Sequence, residues 1–276
     1  MNRGTFCGDI AEIKFVKLFN SDKLNPNFKE YLDNIKYENI NQIFMVRVTG
    51  KQYSKLSNQV VMTRADTYLI KSKDSKINEI LKENEYYLDE KILEKENISY
   101  KCIQYSGISI KMTDSDKYQI LKLTPDSFYK LFNEYELGAG ASIYCQKEEE
   151  LIKNSIVCQG WHTSKEKIIE KYSEDIPDLE NLLNENINKS NELRIYKELK
   201  RFSNNKITEI INNNQYLKEV IFNGYHIYEE PYSASYFYKG DNIKKLTYIP
   251  FTVTTGSGRS KGNFTIVLKP KNETIK

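Results

Sequence analysis

The stretch Ser106–Ile120, SGISIKMTDSDKYQI, holds the strand on which the reading of this chain turns. Ile108 and Ile110 alternate with Ser109 and Lys111, so the two apolar and the two polar side chains fall on opposite faces of an extended segment. Ser106-Gly107 marks a turn before it, and Thr113–Asp116 a polar turn after it. Taken alone, the segment is an ordinary strand with its polar face in water.

Working outward, TRADTYLI places Asp66 near the middle of an apolar run, Gln59–Ile70, that reads as a strand. A carboxylate buried there is costly unless it is paired or binds a cation. Asp66 facing solvent, or pairing with Arg64 on the same strand face, is the ordinary alternative. An Asp on one strand and a lysine at the end of a second are also the skeleton of a metal-dependent nuclease site. Such chemistry needs a carboxylate for Mg²⁺, a nearby oxygen donor, and a lysine close to the attacking water and the scissile phosphate. Ser99-Tyr100-Lys101 offers a rival triplet, but Ser109 and Lys111 sit on the strand with the cleaner alternation. Glu12 is a third candidate, on an N-terminal helix, with pairing to Lys14 or Lys17 as its alternative.

The rest of the chain supplies the frame. Its 276 residues, 39% hydrophobic and 29% charged, suit a globular protein. No apolar run of about 18 residues is present, and MNRGTFCGDIAEIKF has no apolar signal core, so a cytoplasmic protein is expected. Four scattered cysteines and two histidines form no zinc pattern and are expected as reduced, mostly buried thiols. Net charge is +3, with lysines concentrated from Lys239 onward. A helix is expected over Gly8–Asn20, a strand over Gln42–Gly50, and one or two helices over Lys76–Lys95. Strands follow at Ile98–Gln104 and Gly107–Met112. A helix then opens at Thr124-Pro125. Pro177–Ile221 reads as two or three helices broken near Asn204-Asn205 and Asn212–Asn214. Strands close the chain. The order predicts an α+β architecture, a central mixed sheet flanked by helices.

One more element carries chemistry. In TVTTGSGRSKGNFTIVLKPK, Gly256, Gly258 and Gly262 surround Arg259, Ser260 and Lys261. Glycines allow close approach of backbone to phosphate, and Arg259 suits a phosphate or a guanine edge. A solvated basic hairpin loop is the alternative. The pattern is not a nucleotide-binding P-loop.

Together these stretches resemble a type II restriction endonuclease of the PD-(D/E)xK superfamily. GDIAE resembles the opening helix with its supporting Glu, TRADTYLI the strand with the metal-binding Asp, and SGISIKMTDSDKYQILKLTPDSF the catalytic strand and following helix. YLKEVIFNGYHIYEEPYSASYFYKGD, with Glu219 and Gly224, is similar to a further segment, and GSGRSKGNFTIVLK to a basic turn and final strand. Two departures stand: no Pro precedes Asp66, and Ser109 occupies the place of the usual acid. The resemblance implies one restriction-endonuclease-like domain over 1–276: a catalytic core over about 1–150, a helical block over about 177–221, and a DNA-recognising β region over about 232–276. It implies Mg²⁺-dependent, sequence-specific hydrolysis of double-stranded DNA. Asp66 and Glu12 would hold metal, Ser109 and Lys111 would complete the catalytic group, and Arg259, Ser260, Lys261 and Arg64 would contact DNA. A homodimer and a cognate DNA methyltransferase as genetic partner follow from that chemistry. A DNA-binding module without catalysis, or a helical interaction protein unrelated to DNA, are the competing readings.

Overall fold

The computed structural model describes residues 3–37, 39–111, 118–256 and 264–271. The turn at Thr113–Asp116 and the candidates Arg259, Ser260 and Lys261 lie outside the described residues. The chain opens with α1 (Arg3–Ser21) and α2 (Pro26–Ile35), then β1 (Ile43–Arg47), β2 (Gln52–Ser54), β3 (Gln59–Val61) and β4 (Thr67–Lys71). Next come α3 (Lys76–Glu83), α4 (Glu90–Lys95), β5 (Lys101–Cys102), β6 (Ile108–Ile110) and β7 (Leu121–Leu123). A helical stretch follows: α5 (Pro125–Phe132), α6 (Glu136–Ser142), α7 (Asn154–Gly160), α8 (Lys165–Tyr172), α9 (Lys189–Asn213) and α10 (Gln215–Lys218). The chain returns to strands in β8 (Tyr236–Lys239), β9 (Asn242–Lys245), β10 (Phe251–Thr255) and β11 (Ile266–Pro270). Among the described residues no helix is long and apolar enough to cross a membrane.

Two compact units result. The first joins Met1–Ser115 to Glu219–Tyr248, and the second joins Asp116–Lys218 to Ile249–Lys276. These bounds differ from the division expected at about 150, 177–221 and 232–276. The reason is topological. β6 pairs in parallel with β8, and parallel neighbours need a long crossover. Here that crossover contains residues 116–218.

The first unit is built on a mixed sheet in the order β1-β4-β6-β8-β9, with β5 paired to β4. β6 pairs in parallel with β8, and the pairings β1–β4, β4–β5, β4–β6 and β8–β9 are antiparallel. Helices flank the sheet, as the sequence predicts. Phe15, Val16 and Phe19 of α1 and Phe28, Tyr31 and Leu32 of α2 enter the core with Ile43–Val46, Tyr68–Ile70, Ile108 and Ile110. Ile77, Ile80, Leu81, Leu88 and Leu93 join it from α3, α4 and the loop between. The edge of β1 is sealed by one side chain: the Asn20 amide donates to the Met45 carbonyl at 2.9 Å and accepts from the Met45 N–H at 2.8 Å. That satisfies two backbone groups that an edge strand leaves open.

The second unit carries the antiparallel sheet β10-β11-β7 and the helices α5 to α10. Thr124 caps α5 and Pro125 begins it, as expected. α9 corrects the expected break at Asn204-Asn205. Ile195, Leu199, Ser203, Ile207 and Ile211 are buried at a four-residue spacing, so one continuous buried stripe carries the helix through both asparagines. The break at Asn214 is real. Leu179–Leu183, expected as α-helix, is a short 3-10 turn.

Candidate active site

Asp66 does not lie in mid-strand. The expected strand Gln59–Ile70 is two strands, β3 and β4, with a bend at Arg64–Asp66 between them. The bend forms because Arg64 and Ala65 both donate their N–H groups to the Tyr232 carbonyl, at 3.2 and 3.1 Å. Asp66 then stands immediately before β4. Its N–H donates to the Ile108 carbonyl at 2.9 Å, and its carbonyl accepts from Val48 N–H at 3.0 Å. Its main chain is therefore fixed on both sides.

β6 is set against it by Gly107. A Cβ at Gly107 would run into the Ser233 carbonyl and lie 2.9 Å from Cβ of Ala65, so only glycine allows this approach. The Gly107 carbonyl accepts from Ser235 N–H at 2.9 Å and from Tyr236 N–H at 3.0 Å, which sets the parallel register with β8. Ser106 bridges the other side: its hydroxyl accepts from Leu69 N–H at 2.9 Å and donates to the Ile103 carbonyl at 2.6 Å.

The consequence is convergence on one oxygen. Asp66 Oδ2 accepts from Ile110 N–H at 2.6 Å and from Ser109 Oγ at 3.4 Å, with Lys111 Nζ at 3.9 Å. The first is a short charge-assisted bond, and the other two are long. Ile108 and Ile110 enter the core, while Ser109 and Lys111 meet the carboxylate. Burial raises the proton affinity of Asp66. Lys111, the Ile110 N–H, Ser109 and Arg47 oppose that rise.

Glu12 joins this group electrostatically. Its carboxyl is pushed up to about 7, first by burial and then by the Asp66 charge, despite a hydrogen bond from Arg47. The pairing of Glu12 is with Arg47, whose Nε donates to Glu12 Oε2 at 2.8 Å, while Lys17 pairs with Glu85 at 2.6 Å. Arg47 also reaches Asp9 Oδ1 through Nη2 at 2.6 Å, and Tyr87 acts on it electrostatically. Tyr87 in turn donates to Asp89 Oδ2 at 2.9 Å. Arg47, Asp9 and the Ile110 N–H were not singled out in the sequence. Arg47 left one signal, a charged residue ending the apolar run Ile43–Val46.

Other candidates separate from the group. Arg64 feels the Asp66 charge, but its hydrogen bonding runs elsewhere. Its guanidinium donates to the Ile221 carbonyl at 2.8 Å, and its stem packs on Gly224, whose φ of +78° and lack of Cβ make the room. Burial lowers its proton affinity. Of the four thiols, all free, only Cys158 is buried, and Cys102 is exposed on β5 because that two-residue strand has no cover. The expected strand Ile98–Gln104 is reduced to those two residues.

Among the described residues no group of three or more His, Cys, Asp or Glu is placed to hold a metal. No family model and no curated protein matches the chain. Among solved structures, restriction endonuclease MspI in complex with its cognate DNA aligns over 95% of this chain and 88% of that one, at 10% identity and a TM-score of 0.41.

Proposed function

We propose that the protein is a Mg²⁺-dependent endonuclease that hydrolyses phosphodiesters in double-stranded DNA at a specific short sequence. The observation that supports this most is the meeting of Asp66, Ser109 and Lys111 on one carboxylate oxygen, beside a Glu12 held near neutrality. The donors fit Mg²⁺. Asp66 and Glu12 are hard oxygen ligands whose mutual repulsion raises the Glu12 proton affinity, and a divalent cation relieves that repulsion. Mg²⁺ commonly takes only one or two carboxylates and completes its shell with water and substrate phosphate, so a third acid is not required. The contacts described above fall on Asp66 Oδ2, which leaves Oδ1 as its oxygen for a cation.

When bound, Mg²⁺ supplies Lewis-acid polarisation of the phosphate and a more acidic water. The chain's own groups do the rest. Lys111 Nζ, tethered by Asp66, offsets charge that develops on the phosphate oxygens and orients the attacking water. Ser109 Oγ positions that water or the Asp66 carboxylate. Arg47 fixes the Glu12 carboxylate. Cutting both strands calls for a homodimer on a symmetric site. A cognate methyltransferase would be its genetic partner.

A second reading has one observation in its favour. Ser109 stands where an acid would complete the ligand set, which suits a DNA-binding protein without catalysis. Incubation with plasmid and phage DNA, in Mg²⁺ and in EDTA, separates the two. Discrete fragments only with Mg²⁺ support the endonuclease. A salt-sensitive gel shift without cutting supports the second reading, and neither result removes both.

A further inference from the structure

We infer that the β2–β3 hairpin is the element that enters the major groove of duplex DNA and reads it, an inference that rests on the proposed function. Residues Gly50 to Ala65 carry Lys51, Lys55 and Arg64 and no Asp or Glu. In a chain where acids and bases nearly balance, that makes a locally basic ribbon. Its register pairs Tyr53 with Val60 and Ser54 with Gln59. Side chains alternate along each strand, so Tyr53 and Val60 share a face; Lys51 and Met62 flank them at the stem, and Lys55 and Asn58 lie in the turn at the tip. All six are exposed, and the large ones strongly so: Tyr53 55%, Val60 61% and Met62 65%. The opposite side is anchored. Ser54 and Leu56 are buried, Lys55 N–H donates to the Ile227 carbonyl at 3.0 Å, and Tyr228 Oη donates to the Met62 carbonyl at 2.9 Å.

The exposed face has the composition of a groove reader. Two lysines suit phosphates, an asparagine suits base edges, and Val60, Met62 and the Tyr53 ring suit thymine methyls and the sugar walls. A two-stranded ribbon fits the width of the major groove. The basic charge favours DNA over a second copy of this chain, which would place like charges against each other.

The stem of the hairpin ties it to the candidate site. Thr49 and Gly50 N–H groups both donate to Glu90 Oε2, at 2.8 and 3.1 Å. Just below, Val48 N–H donates to the carbonyl of Asp66 itself. On the return strand, Arg64 and Ala65 are pinned to Tyr232. The ribbon thus emerges from a clamp that includes the main chain of Asp66, so a base read by the hairpin fixes where a phosphate meets that carboxylate.

The test uses the full chain in EDTA, with fluorescence anisotropy on a duplex bearing the sequence that the wild type cuts in plasmid DNA, and on an unrelated duplex. Lys51→Gln with Lys55→Gln should weaken binding to both duplexes by at least about tenfold and reduce the slope of log affinity against log salt by about 2. Asn58→Gly keeps a backbone suited to the positive φ of Asn58 while removing its amide. It should leave the slope unchanged and reduce discrimination between the duplexes by roughly 5- to 100-fold. All three side chains are exposed, and Asn58 Oδ1 accepts a long bond from Tyr53 Oη at 3.3 Å, so melting temperatures should stay close to wild type. If the wild type cuts and the hairpin variants bind with unchanged affinity, slope and discrimination, the inference is overturned while the endonuclease reading stands. Variants that alter sedimentation without altering DNA binding assign the face to a second copy and also overturn it. A wild type that neither binds nor cuts DNA removes both.

Discussion

Two short strands of the first unit end or begin with the same Ser-x-Lys pattern, and the structure treats them differently. Ser99-Tyr100-Lys101 leads into β5, which among the described residues pairs with β4 alone, and the three side chains of the triplet are exposed. Ser109-Ile110-Lys111 runs along β6, which pairs with both β4 and β8. There Ser109 is buried and Lys111 is half-buried, both against Asp66. Spacing is identical in the two triplets. The difference is a carboxylate held in place by its own main chain and a strand with neighbours on both sides. A lysine in water is a solvated charge, and a lysine beside a half-buried carboxylate is part of a polarised pair.

The largest effect that would break this comparison is at its centre. Asp66→Asn removes the charge that organises β6 and the main candidate ligand, and cleavage should fall by about a thousandfold or more, with Mg²⁺ no longer raising the melting temperature. Lys111→Ala should lower the cleavage rate by roughly 100- to 1,000-fold. Lys101→Ala should stay within about twofold of wild type, since exposed charges contribute little. Single-turnover cleavage of one plasmid substrate by all three variants measures the contrast. Equal loss at Lys101 and Lys111 would sink the assignment of the site to β6.

A smaller effect concerns protons. Glu12 is raised from 4.5 to about 7, mainly by burial and then by Asp66. Its folded form therefore holds the proton more tightly than the unfolded chain does. That contribution is fully present below about 4.5 and is lost as pH rises through about 7, on the order of 3 kcal/mol in all. Asp66 is raised in the same direction. In EDTA the melting temperature should drop between about pH 4.5 and pH 7, and Glu12→Gln should flatten the drop. Mg²⁺ competes with the proton, so it should stabilise the protein more at about pH 8 than at about pH 5.5. A pH-independent Mg²⁺ effect would remove Glu12 from the ligand set.

Much of this was legible in the sequence because it was local. The alternation in Ile108–Lys111, the Thr124-Pro125 helix start and the apolar stripe of α1 are short-range patterns, and the architecture of a central mixed sheet with flanking helices follows from their order. Asp66, Ser109 and Lys111 could be named as a group, but their meeting depends on Gly107 fitting under Ser233, a contact 126 positions apart in the chain. Arg47 was missed because an arginine after Ile43–Val46 reads as a strand simply reaching solvent. The two units were missed for a related reason. Nothing in residues 116–218 announces that they interrupt a sheet, since no linker composition marks either boundary. The continuity of α9 was misjudged at Asn204-Asn205, where local propensity lost to a buried stripe that neither asparagine occupies.

The smallest effect is the one that bears most on what the site is. Ser109 Oγ reaches Asp66 Oδ2 at 3.4 Å, a long bond, while Ile110 N–H reaches the same oxygen at 2.6 Å. The main chain, not the serine, therefore holds the carboxylate. Ser109→Ala should cost no more than about 1 kcal/mol of stability and less than about tenfold in cleavage, and Ser99→Ala should cost neither. Ser109→Asp sharpens the contrast in the other direction. A second carboxylate beside Asp66 raises proton affinity there and, for the same electrostatic reason, cation affinity. The variant should be less stable in EDTA than wild type and should need about tenfold less Mg²⁺ for half-maximal cleavage. If Ser109→Asp cuts where the wild type only binds, the serine is what separates a DNA-binding protein from an endonuclease. If both cut and differ only in Mg²⁺ requirement, Asp66 and Glu12 suffice, and the serine tunes the metal rather than deciding the function.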